Sequence, residues 1–376
     1  MANNKAFKVK NGLQAGRYLL SNGVETIGSV GYNLTAASYD NVSFSVSSQA
    51  TSLVCLAFKT DGTKAYISQG SVIYQYSLST AWDLSTASYD SVSKTLSRNF
   101  QGLLFKPDGT KLFISAGLSS DSVYQYDLST AWDLSTATED TNFLNAQVET
   151  NDPRGLAFNA DGTALYVVDP DTDSTYQYSL STAYDVSTGT YSGKSFSTTE
   201  TEAKGLSISS DGSTVFIAGN TDDAVKAYYL STPYDLSSAV FSSSFDISGQ
   251  ATGSVYDIVF SADGTKMYIA DNTSAAIYQY STVAYTQTLD LSTGTTFAFT
   301  PSGATTVSFT NPPASGLACA FTVEINGDGS AITWPDSVKW HKNQTPASIA
   351  SKGLYTFITT DGGTTYYGKR AAGGLA

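Results

Sequence analysis

One motif recurs along most of this chain and constrains the fold more than any other feature. The string VYQYDLSTAWDLSTA runs from Val123 to Ala137, and close copies begin at Val72, Thr175 and Val225. A shortened copy, IYQYST, begins at Ile277. The second tyrosine of each copy lies at Tyr76, Tyr126, Tyr178, Tyr228 and Tyr280, at intervals of 50, 52, 50 and 52 residues. Five repeats of about 50 residues therefore fill the chain from about residue 32 to residue 282.

Each repeat predicts four short strands. In the first, an alternating segment (Tyr39–Val46) precedes Leu56-Ala-Phe, which ends at an Asp-Gly pair that favours a tight hairpin turn. Two further strand-like segments begin at Lys64 and Val72, and no window shows a helical apolar period. Four strands in a repeat of this length are typical of a propeller blade. The sequence predicts an all-β chain with a five-bladed β-propeller.

The register of the repeats also predicts how the ring closes. Residues 32–40 match residues 82–90 at an offset of 50, so Tyr39–Val46 is an outer strand that arrives one blade early. Pairing of this strand with Ile277–Ser281 would complete the last blade and remove two exposed sheet edges. An open array completed by a neighbouring chain is the alternative.

The composition changes on both sides of the repeats, which divides the chain into three parts. Residues 1–31 hold two short alternating segments, too few to fold alone, and we expect this attachment segment to dock onto other chains within a homotrimer. Residues 32–284 form the propeller. Residues 285–376 read as short strands separated by Pro- and Gly-rich turns, which predicts a small antiparallel β-sandwich.

Charge and cysteine content exclude several classes. A net charge of −13 and a pI near 4.4 argue against nucleic-acid binding. No apolar run approaches the ~18 residues of a membrane span, and the first residues lack the apolar core of a secretory signal.

Cys55 and Cys319 each lie in an apolar strand-like run, so we expect buried free thiols and maturation in a reducing cytoplasm. A disulfide between the two cysteines is the alternative.

Four aromatic–aspartate pairs are the best binding candidates. They recur at one place in the repeat, on connections that share one face of the disc: Trp82 and Asp83, Trp132 and Asp133, Tyr184 and Asp185, Tyr234 and Asp235. Aromatic faces can stack on sugar rings, and the carboxylates can accept hydroxyl hydrogen bonds. Repetition in every blade favours the structural alternative, in which each aspartate caps the following turn and each aromatic ring wedges between blades.

The innermost strands contain one departure from the pattern. The residue before the apolar pair is Gly102, Gly155 and Gly205 in three blades, Cys55 in the first and Asp257 in the fifth. Small residues suit the crowded axis. Asp257 is predicted to line the central channel, where it would bind a cation or water or simply face solvent.

A calcium site is the one cofactor that the sequence suggests. Asp169, Asp171 and Asp173 alternate at a hairpin tip, a spacing at which hard oxygen ligands can hold Ca²⁺. The loop lacks the later Gly and Glu of an EF-hand, and Asp is common in turns. We expect no other cofactor, since no Cys/His metal spacing occurs.

A propeller glycan hydrolase is the enzymatic alternative, and it would need carboxylates that converge at one mouth of the axis. The candidates are Glu149, Asp152, Glu200, Glu202 and Asp257, and the equivalent places in the first two blades hold none. The single histidine, His341, lies outside the propeller. The stretch from Thr359 to Tyr366 matches a sialidase Asp-box, in which the aspartate (Asp361) ties a turn. We assign no catalytic residue.

The repeats GLAF…DGT…LYI…VYQYDLSTAWDLSTAS resemble the YVTN and WD-like propeller repeats of tailed-bacteriophage structural proteins. The opening FKVKNGL resembles the attachment segment of phage fibre proteins. The pattern of Leu289, Phe309-Thr-Asn-Pro-Pro, Trp334-Pro, Trp340 and Tyr355-Thr-Phe is similar to a module that ends many phage tail-fibre proteins. Fold alone does not decide function, so the two flanks carry this resemblance.

The resemblance implies a non-enzymatic virion structural protein, assembled in the host cytoplasm. The role it favours is a tail fibre, or another virion-surface protein, that contacts a host-surface glycan or receptor. Its partners would be other virion proteins, reached through residues 1–31. A purely architectural connector or decoration protein is the alternative, and a glycan hydrolase or depolymerase is the third.

Overall fold

The computed structural model describes residues 17–19, 25–27, 31–117, 121–251, 253–283, 285–301, 305–327, 332–346 and 351–375. These residues form strands and six three-residue 3₁₀ helices: Leu34–Ala36, Leu84–Thr86, Leu134–Thr136, Val186–Thr188, Leu236–Ser238 and His341–Asn343. No helix in this part of the chain is long and apolar enough to cross a membrane. Most of the expected attachment segment, 1–31, lies outside the described residues.

The strands up to residue 281 follow in chain order. They are β1 (Arg17–Leu19), β2 (Glu25–Ile27), β3 (Ser38–Ser45), β4 (Leu56–Phe58), β5 (Lys64–Gln69), β6 (Val72–Leu78), β7 (Ala87–Thr95), β8 (Gly102–Phe105), β9 (Lys111–Ala116), β10 (Ser122–Leu128), β11 (Ala137–Asn145), β12 (Leu156–Phe158), β13 (Ala164–Asp169), β14 (Ser174–Leu180), β15 (Gly189–Ser197), β16 (Ala203–Ile208), β17 (Thr214–Gly219), β18 (Ala224–Leu230), β19 (Ala239–Asp246), β20 (Val255–Phe260), β21 (Lys266–Asp271) and β22 (Ala276–Ser281).

Five four-stranded antiparallel sheets form the blades of a propeller, which confirms the predicted fold. The sheets are β4-β5-β6-β7, β8 to β11, β12 to β15, β16 to β19, and β20-β21-β22-β3. The last blade takes its outer strand from the start of the chain: Ile277 pairs with Phe44 and Ser281 with Ser38. Closure within one chain is therefore confirmed.

The two faces of the disc carry different connections. One face holds the five Asp-Gly turns and the segments with the aromatic–aspartate pairs, and we call it the turn face. The other holds the connections from each outer strand to the next inner strand, and we call it the link face. Because β3 runs away from the turn face and β22 runs back to it, the chain enters and leaves the propeller at the turn face.

Buried apolar side chains fill the spaces between neighbouring blades. Large aromatic residues from the second and third strands are fully buried there, among them Tyr66, Tyr166, Tyr268, Phe113 and Phe216. The inner strands approach so closely that a Cβ on Gly102 would lie 2.2 Å from the carbonyl oxygen of Arg154. Glycine is required at that place because any side chain would meet backbone.

Two sheets follow the propeller and enclose a separate core. Their strands are β23 (Tyr285–Asp290), β24 (Thr296–Phe299), β25 (Thr305–Thr310), β26 (Cys319–Asn326), β27 (Ile332–Thr333), β28 (Val338–Trp340), β29 (Lys352–Thr359) and β30 (Tyr366–Leu375). The sheet orders are β23-β25-β27 and β24-β26-β29-β30-β28. Phe321, Trp334, Trp340, Tyr355 and Phe357 pack in the core between them.

The strand directions of this sandwich differ from the antiparallel prediction. Only β26, β29 and β30 pair antiparallel, whereas β23-β25-β27, β24-β26 and β28-β30 are parallel. Apolar alternation specifies which side chains face the core, but it is the same for both strand directions. The prediction of two packed sheets is confirmed, and the purely antiparallel pairing is wrong.

Candidate functional site

The aspartates of the four predicted pairs cap 3₁₀ helices on the turn face. Each Oδ1 accepts hydrogen bonds from the backbone N–H and hydroxyl of the serine two residues later. In the second blade, Asp133 accepts from the Ser135 N–H at 3.0 Å and from its hydroxyl at 2.6 Å. The same contacts recur at Asp83, Asp185 and Asp235. This confirms the predicted turn chemistry.

The aromatic partners wedge between blades. The Trp132 ring lies over Gly109 of its own Asp-Gly turn and 5.3 Å from the Phe105 ring. Its carbonyl oxygen accepts a 2.8 Å hydrogen bond from the Tyr66 hydroxyl of the preceding blade. Tyr166 donates likewise to Tyr234, and Tyr268 to Trp82. The pairs thus hold neighbouring blades together, and ligand binding by them stays a prediction.

A fifth pair occupies the same place in the last blade. The Tyr32 ring lies over Gly264, and Asn33 accepts from the Thr35 N–H at 3.1 Å. Tyr32 and Asn33 correspond to Trp82 and Asp83 at the offset of 50 residues. They were not among the predicted binding candidates, which all contain Asp. All five blades therefore share an aromatic ring over the turn glycine and an Asp or Asn that caps the following turn, as expected for a feature that the fold requires.

The central glutamine of the YQY motif is a further inter-blade contact that sequence reasoning missed. The Oε1 atoms of Gln125, Gln177 and Gln279 accept from backbone N–H groups of the next blade, at Val186, Leu236 and Leu84 respectively. Its recurrence between two buried tyrosines was the available signal. A buried amide at a fixed place in a repeat usually satisfies backbone groups.

Asp257 lies at the axis, as predicted, but its role differs from the prediction. Its Oδ2 accepts from the Leu56 N–H and its Oδ1 from the Ile258 N–H, both at 2.9 Å. The side chain is buried, and this burial raises its pKa to about 7 despite the two hydrogen bonds. Asp257 therefore ties the fifth blade to the first. It lines the axial cavity, as predicted, but as a buried hydrogen-bond acceptor and not as a solvent-facing carboxylate. Cation binding by Asp257 stays a prediction.

The three aspartates proposed for calcium do not form a ligand set. Asp169 is fully buried, and its two oxygens accept from the N–H groups of Asn151 at 2.8 Å and Asp171 at 2.7 Å. The Asp171 side chain is exposed, and Asp173 accepts from the Glu202 N–H at 2.9 Å. Among the described residues, no group of three His, Cys, Asp or Glu side chains could hold a metal ion.

The carboxylates that a hydrolase would need are also engaged separately. Asp152 pairs with Arg154, and Glu202 pairs with Lys204 at 3.2 Å. Glu200 is fully buried, where it pairs with Lys226 at 3.2 Å and accepts from the Thr221 N–H. Glu149 accepts from the Tyr178 hydroxyl at 3.4 Å. Asp257 is bound to backbone N–H groups, so each of these carboxylates has its own hydrogen-bond or ion-pair partner.

The axis opens on the turn face as an apolar cavity of about 260 Å³. All five inner strands line it, and its walls include Phe58, Phe105, Phe158, Ile208 and Phe260. Trp82 and Trp132 border it. The lining offers apolar contact and few hydrogen-bonding groups.

The link face opens differently. A depression of about 420 Å³, here the axial depression, is lined by polar groups that include Asn99, Gln101, Arg154, Tyr256 and Asn272. The Arg154 guanidinium and the Lys204 ammonium lie 5.8 and 4.4 Å from the centre of the Tyr256 ring. These residues were not among the sequence candidates.

The remaining sequence predictions fall in and around the sandwich. His341 lies outside the propeller, as predicted, and is exposed directly after β28. Asp361 accepts from the Thr365 N–H at 3.0 Å and from the Thr359 hydroxyl at 2.9 Å, which confirms its turn role. Cys55 is buried, Cys319 is half-buried, and both thiols are free.

No protein-family model matches the chain, and no curated protein matches it. It is similar to the crystal structure of a functionally unknown protein from Desulfotomaculum acetoxidans, with 13% identity and a TM-score of 0.39 over 58% of this chain and 62% of that chain. A protein from Bacteroides uniformis proposed to be a 6-phosphogluconolactonase aligns with 12% identity and a TM-score of 0.39 over 60% of this chain and 65% of that chain. A protein from Bacteroides fragilis with the same proposed activity aligns with 14% identity and a TM-score of 0.38, over 58% and 63%. The chain spans less than two thirds of the length of each, and these similarities assign it no activity.

Proposed function

We propose that this chain is a non-enzymatic structural protein of a tailed-bacteriophage virion. Its role would be that of a tail fibre, or another virion-surface protein, that contacts the host surface. The observation that carries the proposal is the common exit of both flanks from one face of the propeller. The Tyr32 N–H donates to the carbonyl oxygen of Gly264, and the Thr282 N–H donates to that of Thr265 at 2.9 Å. Attachment through these two flanks would leave the link face open toward a host.

The flanks support the assignment to a virion. The FKVKNGL start and the Phe309-to-Tyr355 pattern resemble segments of phage fibre proteins, and the second of these builds the core of a two-sheet module. The repeats alone would fit many functions.

The environment of the carboxylates favours binding over hydrolysis. A retaining or inverting glycosidase needs two carboxyl groups about 5 to 10 Å apart across a bound sugar. Here Asp152, Glu202 and Glu200 are paired with cations, and Asp257 is bound to backbone N–H groups. Of these four carboxylates, only Asp257 joins two blades; the ion pairs of Asp152, Glu202 and Glu200 lie within single blades.

Assembly would depend on the flanks. Each chain carries a net charge of −13, so propellers should repel one another weakly. We expect residues 1–31 to dock onto other virion chains and to support a homotrimer. Light scattering on the full-length protein and on residues 31–283 tests this, because a trimer retained by the fragment would place the interface in the propeller, and a full-length monomer would refute the trimer.

The function itself is tested with purified protein and host cells. We expect the full-length protein to bind the cells and to release no new reducing ends from their surface polysaccharide. Absence of binding would favour an architectural connector. Release of reducing ends that is lost in Glu202→Gln would overturn the non-enzymatic assignment.

A further inference from the structure

We propose that the axial depression on the link face binds a neutral oligosaccharide of the host surface. This inference rests on the proposed function and specifies its ligand class and its site. The ligand would contact Asn99, Gln101 and Tyr256, beside Arg154, in the depression of about 420 Å³ that residues of the first, second, third and fifth blades line.

The residues at this site vary from blade to blade, whereas the residues that hold the fold together recur in every blade. The link-face end of each inner strand carries a different residue in every blade: Val54, Gln101, Arg154, Lys204 and Tyr256. On the turn face, by contrast, the equivalent aromatic residue recurs in all five blades. A feature that the fold requires repeats with the fold. The five different side chains at the link-face mouth are therefore free to form one asymmetric site.

The depression offers hydrogen-bonding groups that the described residues leave unused. No hydrogen bond to another described residue engages the side chains of Asn99, Gln101 or Tyr256. The Oε1 atom of Gln101 is buried and unpartnered, so Gln101 would offer the ligand its amide NH₂ group. An amide both donates and accepts, and so does a phenol. This combination matches sugar hydroxyls, which also do both. By contrast, Asn272 donates to Ser52 and Leu53, so this part of the wall is fixed.

The charges at the mouth are compensated, which favours a neutral ligand. Arg154 Nε lies 2.8 Å from Asp152 Oδ2, and Lys204 Nζ lies 3.2 Å from Glu202 Oε2. Both cations also pack on Tyr256 and hold its ring in place. A chain with a net charge of −13 repels polyanions, so an acidic polysaccharide would gain little here.

The position of the site fits the direction of the flanks. Both leave the propeller at the turn face, which is also the face where the axis opens as the apolar cavity. The polar depression lies at the opposite end of the same axis. A propeller attached through its flanks would present this end to a host.

The test uses full-length protein on an array of neutral and acidic bacterial surface oligosaccharides, followed by titration of the best neutral binder. Gln101→Ala and Tyr256→Phe should each weaken binding at least about fivefold, because each removes a protein group that would hydrogen-bond to the ligand. Tyr229→Phe is the matched control, since Tyr229 is an exposed tyrosine at the turn-face end of β18 and should leave affinity unchanged. Thermal unfolding of each variant checks that the fold is intact.

Three results would overturn the proposal: unchanged affinity in both site variants, selective binding of acidic oligosaccharides, or no binding on the array by protein that binds host cells. In each of them the proposed function stands, because the chain still contacts the host by another route. Failure of the wild-type protein to bind host cells at all would instead remove the function on which the site rests.

Discussion

The Oδ2 atom of Asp257 accepts a 2.9 Å hydrogen bond from the backbone N–H of Leu56, although 201 residues separate the two. The contact joins the inner strand of the last blade to that of the first. Where the third and fourth blades meet, backbone serves the same purpose, because the Gly155 N–H donates to the carbonyl oxygen of Lys204 at 2.9 Å. The seam of the ring thus uses a buried carboxylate where another boundary uses a peptide group.

This carboxylate should make stability depend on pH. Burial raises the pKa of Asp257 to about 7, well above its usual value near 3.8, so the folded chain binds the extra proton between these values. Its contribution to stability therefore falls as pH rises from about 4 to about 7 and then levels off. Between pH 5 and pH 8 we expect a loss of about 2 to 3 kcal/mol in the free energy of unfolding, and Asp257→Asn should remove it.

Urea denaturation at both pH values measures this loss. Asp246→Asn is the control, because hydrogen bonds from Ser248 lower the pKa of Asp246, and its contribution is the same at pH 5 and pH 8. Equal pH dependence in the wild type and in Asp257→Asn would show that Asp257 titrates as it does in the unfolded chain.

The aromatic wedges should contribute to stability whether or not any ligand is present. Trp132→Ala removes a half-buried ring from the boundary between two blades, and we expect a cost of about 2 to 3 kcal/mol. Tyr66→Phe removes only the hydroxyl that donates to Trp132 and should cost about 1 kcal/mol. Phenylalanine already occupies the equivalent place at Phe113 and Phe216, so this variant will fold. Chemical denaturation that finds Trp132→Ala as stable as the wild type would reject the structural role.

The glycine beneath the Trp132 ring should tolerate no side chain. Gly109 has φ +74°, and a Cβ there would lie 2.4 Å from the ring. We expect Gly109→Ala to destabilise the fold by about 2 kcal/mol or more, through backbone strain and displacement of the wedge. Gly249→Ala should stay within about 0.5 kcal/mol of the wild type, since no atom lies within 4 Å of the added methyl group. Similar melting temperatures for the two variants would contradict the packing described.

Closure of the ring by β3 predicts a sharp difference between two truncations. Removing residues 1–30 keeps the pairing of β3 with β22, whereas removing residues 1–46 exposes the edge of β22 from Ala276 to Ser281. The longer deletion should therefore aggregate, and the shorter one should remain a folded propeller. Size-exclusion chromatography with circular dichroism distinguishes them, and a folded monomeric product of the longer deletion would refute the seam.

Most of the fold could be predicted because it repeats. The five copies revealed the blade, and the offset of 50 residues at Tyr32 identified the strand that closes the ring. The parallel pairs of the sandwich were missed because the alternation of apolar residues in β25 or β26 carries no strand direction. The role of Asp257 was missed because its partner, Leu56, becomes adjacent only when the ring closes.

The residues of the candidate site could not be predicted from the repeats. Repetition drew attention to Trp82 and Trp132, which the fold itself requires. Gln101 and Tyr256 share no local motif and meet only at the axis of the assembled ring. A search for departures from the repeat at equivalent positions would have found them, since their alignment follows from the neighbouring inner-strand residues.

Location of the chain in a purified phage particle tests the central claim most directly. A cryo-electron microscopy map of the particle whose genome encodes this chain should contain the propeller on the virion surface. Its turn face should point toward the virion and its link face, with Tyr256, toward solvent. Absence of the chain from purified particles would contradict the account, and a link face buried against other virion proteins would contradict the contact with the host.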